Sequence, residues 1–227
     1  MAGQVSAPRL AGGVDEAGRG CVVGPLVVAG VSADLQGEEE LKEIGVRDSK
    51  KLSPARRRIL FPDILRICAK ASWVSITTAE IDRVVSTGKK YRKLNHLEAL
   101  YFAKVVDELQ AQTVTVDASD TSPQRFREVI CGGLTEECEV RAYHKADRDY
   151  PLVSAASIVA KVVRDNEVAK LREAYGDFGS GYPSDPKTKR YFKGWLEEGK
   201  EPPEWTRKSW KSWKSWKRFQ LGLLSQF

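Results

Sequence analysis

Gly13-Val14-Asp15-Glu16-Ala17-Gly18-Arg19-Gly20 is the stretch on which the fold turns. The apolar run Leu10–Asp15 ends on two adjacent carboxylates, and a Gly-Arg-Gly turn follows at once. The run reads as a strand, the glycines as a tight turn, and the Val- and Gly-rich Cys21–Ala33 as a second strand. A carboxylate at the carboxyl end of an apolar strand stands where open α/β sheets place their sites. Asp117 closes another such run, Thr113-Val114-Thr115-Val116-Asp117, which alternates as a half-buried strand does. If these two strands are neighbours, two carboxylates meet and repel, and a hard cation neutralises them. Oxygen-only ligands favour magnesium or manganese over zinc. A lone Asp at a strand end is more commonly a helix cap or turn former; the doublet before Gly-Arg-Gly shifts the balance. Glu16 shares a site with Asp15 only if the strand breaks between them, because neighbouring strand residues face opposite ways. The glycines allow such a break.

Outward from this motif, strand-like and helix-like segments alternate. Glu38–Ile44 is a short helix candidate. Ser53 and Pro54 are an N-cap and a first helical residue for a helix reaching about Ala69. Ser72–Thr77 reads as a strand and Ala79–Val85 as a helix, and Asn95 looks like the cap of a helix running to Leu109. Ser122-Pro123 opens another helix, and Glu139–Tyr143 is a short strand. Val153 to Ala174 is the longest helical stretch, with Gly176 as its stop. Lys187–Glu198 and Arg207–Leu224 are two further helices split by Pro202-Pro203. A hairpin followed by strands interleaved with helices makes a mixed sheet flanked by helices the expected α/β fold.

The charge is unevenly placed. The chain of 227 residues carries a net +6, yet residues 187–218 alone hold 11 Lys/Arg against 4 Asp/Glu. The rest keeps 26 basic and 27 acidic residues, so a basic tail joins a near-neutral body and points to a polyanionic partner. Five of the six tryptophans lie in that tail. In a helix, the Ser-Trp-Lys repeat at Ser209–Lys217 sets Trp210, Trp213 and Trp216 in one drifting stripe. Lys208, Lys211, Lys214 and Lys217 form another. The tryptophans are expected to pack on the body, with some edges left to stack or contact sugar, and the lysines to be solvated and available to grip phosphates. No apolar run approaches the roughly 20 residues of a membrane span. The N-terminus lacks a signal-peptide layout. The four cysteines form no C-x-x-C pair and, with only His96 and His144 beside them, make no zinc site. Reduced thiols in a cytoplasmic protein are expected. A nucleotide-hydrolysing P-loop is excluded, since no G-x-x-x-x-G-K-[ST] occurs.

The eight-residue motif resembles that of ribonuclease HII. So do Gly24-Pro25-Leu26-Val27-Val28-Ala29, Asp48-Ser49-Lys50-Lys51-Leu52, Val116-Asp117-Ala118-Ser119 and Lys145-Ala146-Asp147. Ser154–Asp165 and Gly179-Ser180-Gly181-Tyr182-Pro183-Ser184-Asp185-Pro186 complete the set, in the family's order and in forms closer to its archaeal branch. The resemblance implies a ribonuclease H-like fold with a central mixed five-stranded sheet. Residues 1–186 would be the catalytic domain and 187–227 a basic, Trp-rich helical extension. The length suits a single-subunit enzyme and a monomer.

By motif position the resemblance makes Asp15, Glu16, Asp117 and Asp147 the metal-binding acids; it alone singles out Asp147, over nearby Asp149. Two Mg²⁺ or Mn²⁺ ions would serve hydrolysis of RNA in RNA–DNA hybrids. Cleavage 5′ to ribonucleotides embedded in DNA would leave 3′-hydroxyl and 5′-phosphate ends. The turn Gly18, Arg19, Gly20 would read the 2′-hydroxyl, which is how a protein tells RNA from DNA. Tyr182 would stack on the neighbouring deoxyribose, and Lys50 and Lys51 would contact phosphates. His96 and His144 would be non-catalytic, and Ser154–Asp165 is read as buried helix packing. The competing reading is a non-catalytic nucleic-acid-binding protein using the basic tail.

Overall fold

The computed structural model describes residues 9–46, 52–87 and 93–224, and only the backbone of 218–224. Lys50 and Lys51, with most of their motif, lie outside the described residues. The chain folds as two compact units, built from residues 9–16, 28–46, 52–74 and 98–162, and from 17–27, 75–87, 93–97 and 163–224.

The first unit is organised by a mixed five-stranded sheet. Its strands are β1 (Ala11–Ala17), β2 (Leu26–Ala33), β3 (Lys70–Ile76), β4 (Thr113–Asp117) and β5 (Glu139–Tyr143), in the order β3-β2-β1-β4-β5. β4 runs parallel to both β1 and β5, and the register pairs Val14 with Val116. The next residues along, Asp15 and Asp117, therefore sit side by side at the carboxyl ends of adjacent strands. Helices α1 (Leu35–Glu43), α2 (Pro54–Ile67), α4 (Leu94–Leu109), α5 (Pro123–Cys131) and the first part of α6 (Pro151–Tyr175) flank the sheet. The expected caps form: Ser53 accepts from the Arg56 amide and Ser122 from the Arg125 amide. Gly13 brings α6 onto β1. A Cβ there would lie 2.3 Å from both the Leu152 carbonyl carbon and the Val153 nitrogen, so no larger residue fits.

The second unit contains α3 (Thr78–Thr87), the rest of α6, α7 (Pro186–Glu197) and α8 (Lys211–Leu224). Its core joins Val22 and Val23 to Val168, Phe178, Phe192, Trp205 and Trp213, with Trp210 and Trp216 partly buried against them. The tail tryptophans thus pack, while Lys208, Lys211, Lys214 and Lys217 are all exposed, as the two-stripe pattern anticipated.

Three expectations are corrected. The second strand starts at Leu26 rather than Cys21, because residues 22–24 bond elsewhere. The Val22 amide donates to the Gly181 carbonyl and the Gly24 amide to that of Trp205, at 2.9 Å each. For the same reason α8 starts at Lys211 and not Arg207, since Thr206 bridges Val23 in antiparallel fashion. Asn95 lies inside the first turn of α4 and does not cap it; its Oδ1 accepts from the Arg19 guanidinium at 2.5 Å. Among the described residues no helix is long and apolar enough to cross a membrane. All four cysteines are unpaired with one another.

Candidate active site

Asp15, Asp117 and Asp147 converge, each offering a carboxylate oxygen within 4.8 Å of the others. Strand ends supply the first two. The third comes from a 3₁₀ turn, Ala146–Arg148, that follows β5. Lys145 enters that turn with φ +61°, a left-handed conformation that a side-chain-bearing residue adopts only where its surroundings hold it. Here the surroundings include Asp117, whose Oδ1 accepts from the Lys145 amide at 2.8 Å and from the Ala146 amide at 3.4 Å. The amides thereby fix the Asp117 carboxylate and the position of Asp147 together. Asp147 is buried at 1% exposure while Asp149 is exposed, which separates two acids that sequence spacing alone cannot.

Glu16 lies outside this group of three. β1 continues through Ala17, with Glu16 half-buried directly after the buried Asp15. The Glu16 amide donates to Asp15 Oδ1 at 2.7 Å, which also steadies the Asp15 carboxylate.

The cluster is electrostatically strained without a cation. Burial foremost, then the neighbouring Asp117 carboxylate, pushes the Asp15 pKa from 3.8 to about 6. Lys161 and a hydrogen bond from Ser157 pull the other way. Ser157 and Lys161 stand one turn apart on α6, with the ammonium donating to the Ser157 hydroxyl at 2.5 Å. Sequence reading took this helix as packing and missed both; the signal was a lysine interrupting a run of small apolar residues. The pH consequence follows from the sign of the shift. The native state binds a proton more tightly than the unfolded chain, so native stability falls as pH rises through the window from 3.8 to about 6. Thermal melts in chelator are expected to show Tm declining across that window. Added Mg²⁺ should restore it, because a ligand held only by the folded state stabilises that state. A metal-independent Tm rising over the same window would contradict this picture.

The Gly-Arg-Gly turn belongs to the second unit. Gly18 has φ +89°, and a Cβ there would come 2.9 Å from the Pro25 carbonyl oxygen, so glycine is required by the fold. Gly20 differs: a Cβ would meet only the Tyr182 ring, at an ordinary 3.8 Å. Its missing side chain keeps main chain accessible beside an aromatic face. Tyr182 is 41% exposed, with the Arg164 guanidinium 5.3 Å from its ring centre. Partial burial, then the adjacent Cys21 thiol, pushes its hydroxyl up to about 12, so it stays protonated. The Arg164 Nη2 donates to Cys21 Sγ and to the Ser180 carbonyl, both at 3.0 Å, tying the residue that follows the turn to the tyrosine's loop. His144 Nδ1 lies 3.2 Å from the Ala118 carbonyl oxygen.

The chain is similar in sequence and fold to known proteins. Residues 12–213 match the family model for ribonuclease HII. The ribonuclease HII of Methanoregula boonei is 46% identical over 198 residues, covering 87% of this chain and 90% of that protein. That of Pyrococcus furiosus is 45% identical over 201 residues, or 88% and 87%. The crystal structure of ribonuclease H2 from Pyrococcus horikoshii OT3 superposes with a TM-score of 0.84 at 40% identity, covering 93% of this chain and 99% of that one. A ribonuclease HIII structure solved with Mn²⁺ shares the fold, with a TM-score of 0.78 at 20% identity, and covers 97% of this chain and 72% of that one. Three acids gathered at strand ends, the ordered motifs around them and this degree of identity lead to one conclusion: the chain belongs to the ribonuclease HII family, metal-dependent endonucleases that act on RNA–DNA hybrids.

Proposed function

We propose that Asp15, Asp117 and Asp147, with Glu16 as the fourth acid on the family pattern, hold two Mg²⁺ or Mn²⁺ ions during catalysis. The enzyme then cuts on the 5′ side of ribonucleotides, in long hybrids and at single sites in duplex DNA. The convergence of three carboxylate oxygens within 4.8 Å carries this reading. The donor set fits the ions: all three ligand groups are hard oxygens, and the upward pull on Asp15 marks a cluster short of positive charge. When bound, divalent cations lower the pKa of water and neutralise charge developing on the phosphate and the leaving 3′-oxygen. The chain's own contribution is positional. The Lys145 and Ala146 amides hold Asp117, while Ser157 and the Glu16 amide hold Asp15. With water rather than the 2′-hydroxyl as nucleophile, no histidine base is needed.

Gly18-Arg19-Gly20 is proposed to read the 2′-hydroxyl with its main chain, and Tyr182 to stack on the adjoining deoxyribose. The open space at Gly20 beside the tyrosine ring supports both roles. Lys50 and Lys51 are proposed phosphate contacts from sequence alone. Functionally, residues 1–186 carry the catalytic machinery and 187–227 the basic extension, in a cytoplasmic monomer. The Archaeoglobus fulgidus relative, 41% identical with a TM-score of 0.79, was solved as a complex with PCNA, and we propose the same class of partner here. Product analysis tests the chemistry. Cleaved hybrids should end in 3′-hydroxyl and 5′-phosphate groups, whereas 2′,3′-cyclic phosphates would show attack by the 2′-hydroxyl.

The exposed lysine stripe gives a second test. Removing the tail to probe its charge would also remove Trp205 and Trp213 from the core, so side-chain replacement is the cleaner experiment. Lys208, Lys211, Lys214 and Lys217 changed together to Ala should weaken hybrid binding and flatten its log–log salt dependence, by roughly 0.9 for each phosphate that is no longer neutralised. An unchanged slope would leave the stripe merely solvated.

A further inference from the structure

Arg207 is the largest fully buried side chain of the described residues, at 0% exposure, and it sits in the tail far along the chain from the turn. A buried guanidinium persists only when its donors are satisfied. Its Nε and Nη2 fork onto the Gly24 carbonyl at 3.1 and 3.0 Å, and its Nη1 reaches the Arg19 carbonyl at 3.0 Å. Two carbonyls on opposite sides of one loop are thereby pinned to one rigid, planar group, a geometry that the point charge of a lysine cannot reproduce. The main chain reinforces the placement. The Arg207 amide donates to the Val22 carbonyl at 2.8 Å and the Gly24 amide to that of Trp205 at 2.9 Å. The Trp210 ring lies 5.1 Å from the guanidinium carbon. Asp82 in α3 holds the following residues in turn, its carboxylate accepting from the Lys208 and Ser209 amides at 2.8 and 3.0 Å.

We infer that Arg207 is a positioning residue for ribose selection: it holds the 18–24 loop in the geometry with which Gly18-Arg19-Gly20 reads the 2′-hydroxyl. The inference rests on that reading of the turn, and it makes the tail part of substrate selection as well as of substrate binding. Arg207 acts through the loop's carbonyls, and the lysine stripe acts on phosphates, so the two contributions separate in kinetics.

The test is Arg207→Lys in the full-length enzyme with Mg²⁺, on a DNA duplex containing one ribonucleotide, with hydrogen exchange followed by mass spectrometry. Exchange in the 18–24 segment should quicken about tenfold, as for loss of a net hydrogen bond or two. The kcat should fall by about 100-fold, the scale of a small misplacement of a reacting group. The KM should stay within about twofold, since ground-state grip is untouched. Wild-type exchange and wild-type kcat would overturn the inference, as would faster exchange spread evenly over the chain, which marks a purely global role. Faster local exchange with unchanged kcat would show that Arg207 holds the loop but that the loop does not read ribose, which sinks the reading of the turn instead. If Arg207→Lys does not fold, the wild-type protein decides. The bonded amides of Cys21, Val22 and Gly24 should exchange as slowly as those of α6, and rapid exchange there would overturn the inference.

Discussion

Asp147→Asn is expected to lower kcat on an RNA–DNA hybrid by roughly 1,000-fold or more, while hybrid affinity stays within about threefold. The substitution is nearly isosteric at a site buried to 1% exposure, so it creates no cavity. It removes one of three converging charges, and with it the hard anionic ligand that a divalent ion requires. Binding is expected to survive because the exposed lysine stripe, proposed to attract the duplex, lies on another part of the chain. Folding should not suffer, since relieving repulsion among close carboxylates favours the metal-free native state. Steady-state kinetics and a separate binding titration check both halves. A wild-type rate would move the ligand elsewhere, with exposed Asp149 the first candidate, and would remove the reason for Asp147's burial.

Gly13→Ala should destabilise the protein by about 3 kcal/mol or abolish folding, the upper range for overpacking. In a chain of this size that corresponds to a fall in Tm of roughly 10 °C. The new methyl would sit 2.3 Å from backbone atoms of Leu152 and Val153. Backbone at a helix start cannot rotate aside as a side chain does, so either β1 or α6 must shift. Because β1 carries Asp15, even a folded variant should lose activity. Gly20→Ala is the control, with a Cβ at ordinary distance from Tyr182, and its Tm should move by only about 1–2 °C, as for a neutral surface change. Equal melting of the two variants would mean that β1 and α6 are not in the close contact described.

How legible each part was in the sequence depends on where its hydrogen bonds go. β4 and β5 match their expected bounds residue for residue, because alternating, half-buried strands write their period locally. The meeting of Asp15 and Asp117 needed only the guess that two acid-ended strands are neighbours. Residues 21–25 were misread as strand because their Val content is strand-like while their partners, Gly181, Trp205 and Arg207, are remote. Arg207 was misread as helical for the same reason. Asn95 resembles a cap in sequence, yet Arg19 claims its side-chain oxygen. Asp147 sits in a single 3₁₀ turn after a left-handed lysine, a place with no periodicity to read, and only resemblance to a family singled it out. Ser157 and Lys161 were hidden by the apolar helix that carries them.

The central claim is that the acid cluster is a metal centre that cuts beside ribose. The most direct measurement compares two duplexes identical except for one ribonucleotide, each incubated with the wild-type enzyme in Mg²⁺, in Mn²⁺ and in chelator. The account predicts a single cut on the 5′ side of the ribonucleotide with either metal, none in chelator, and none in the all-DNA duplex. Cleavage in chelator, or no cleavage of the ribonucleotide-containing duplex under either metal, would contradict it.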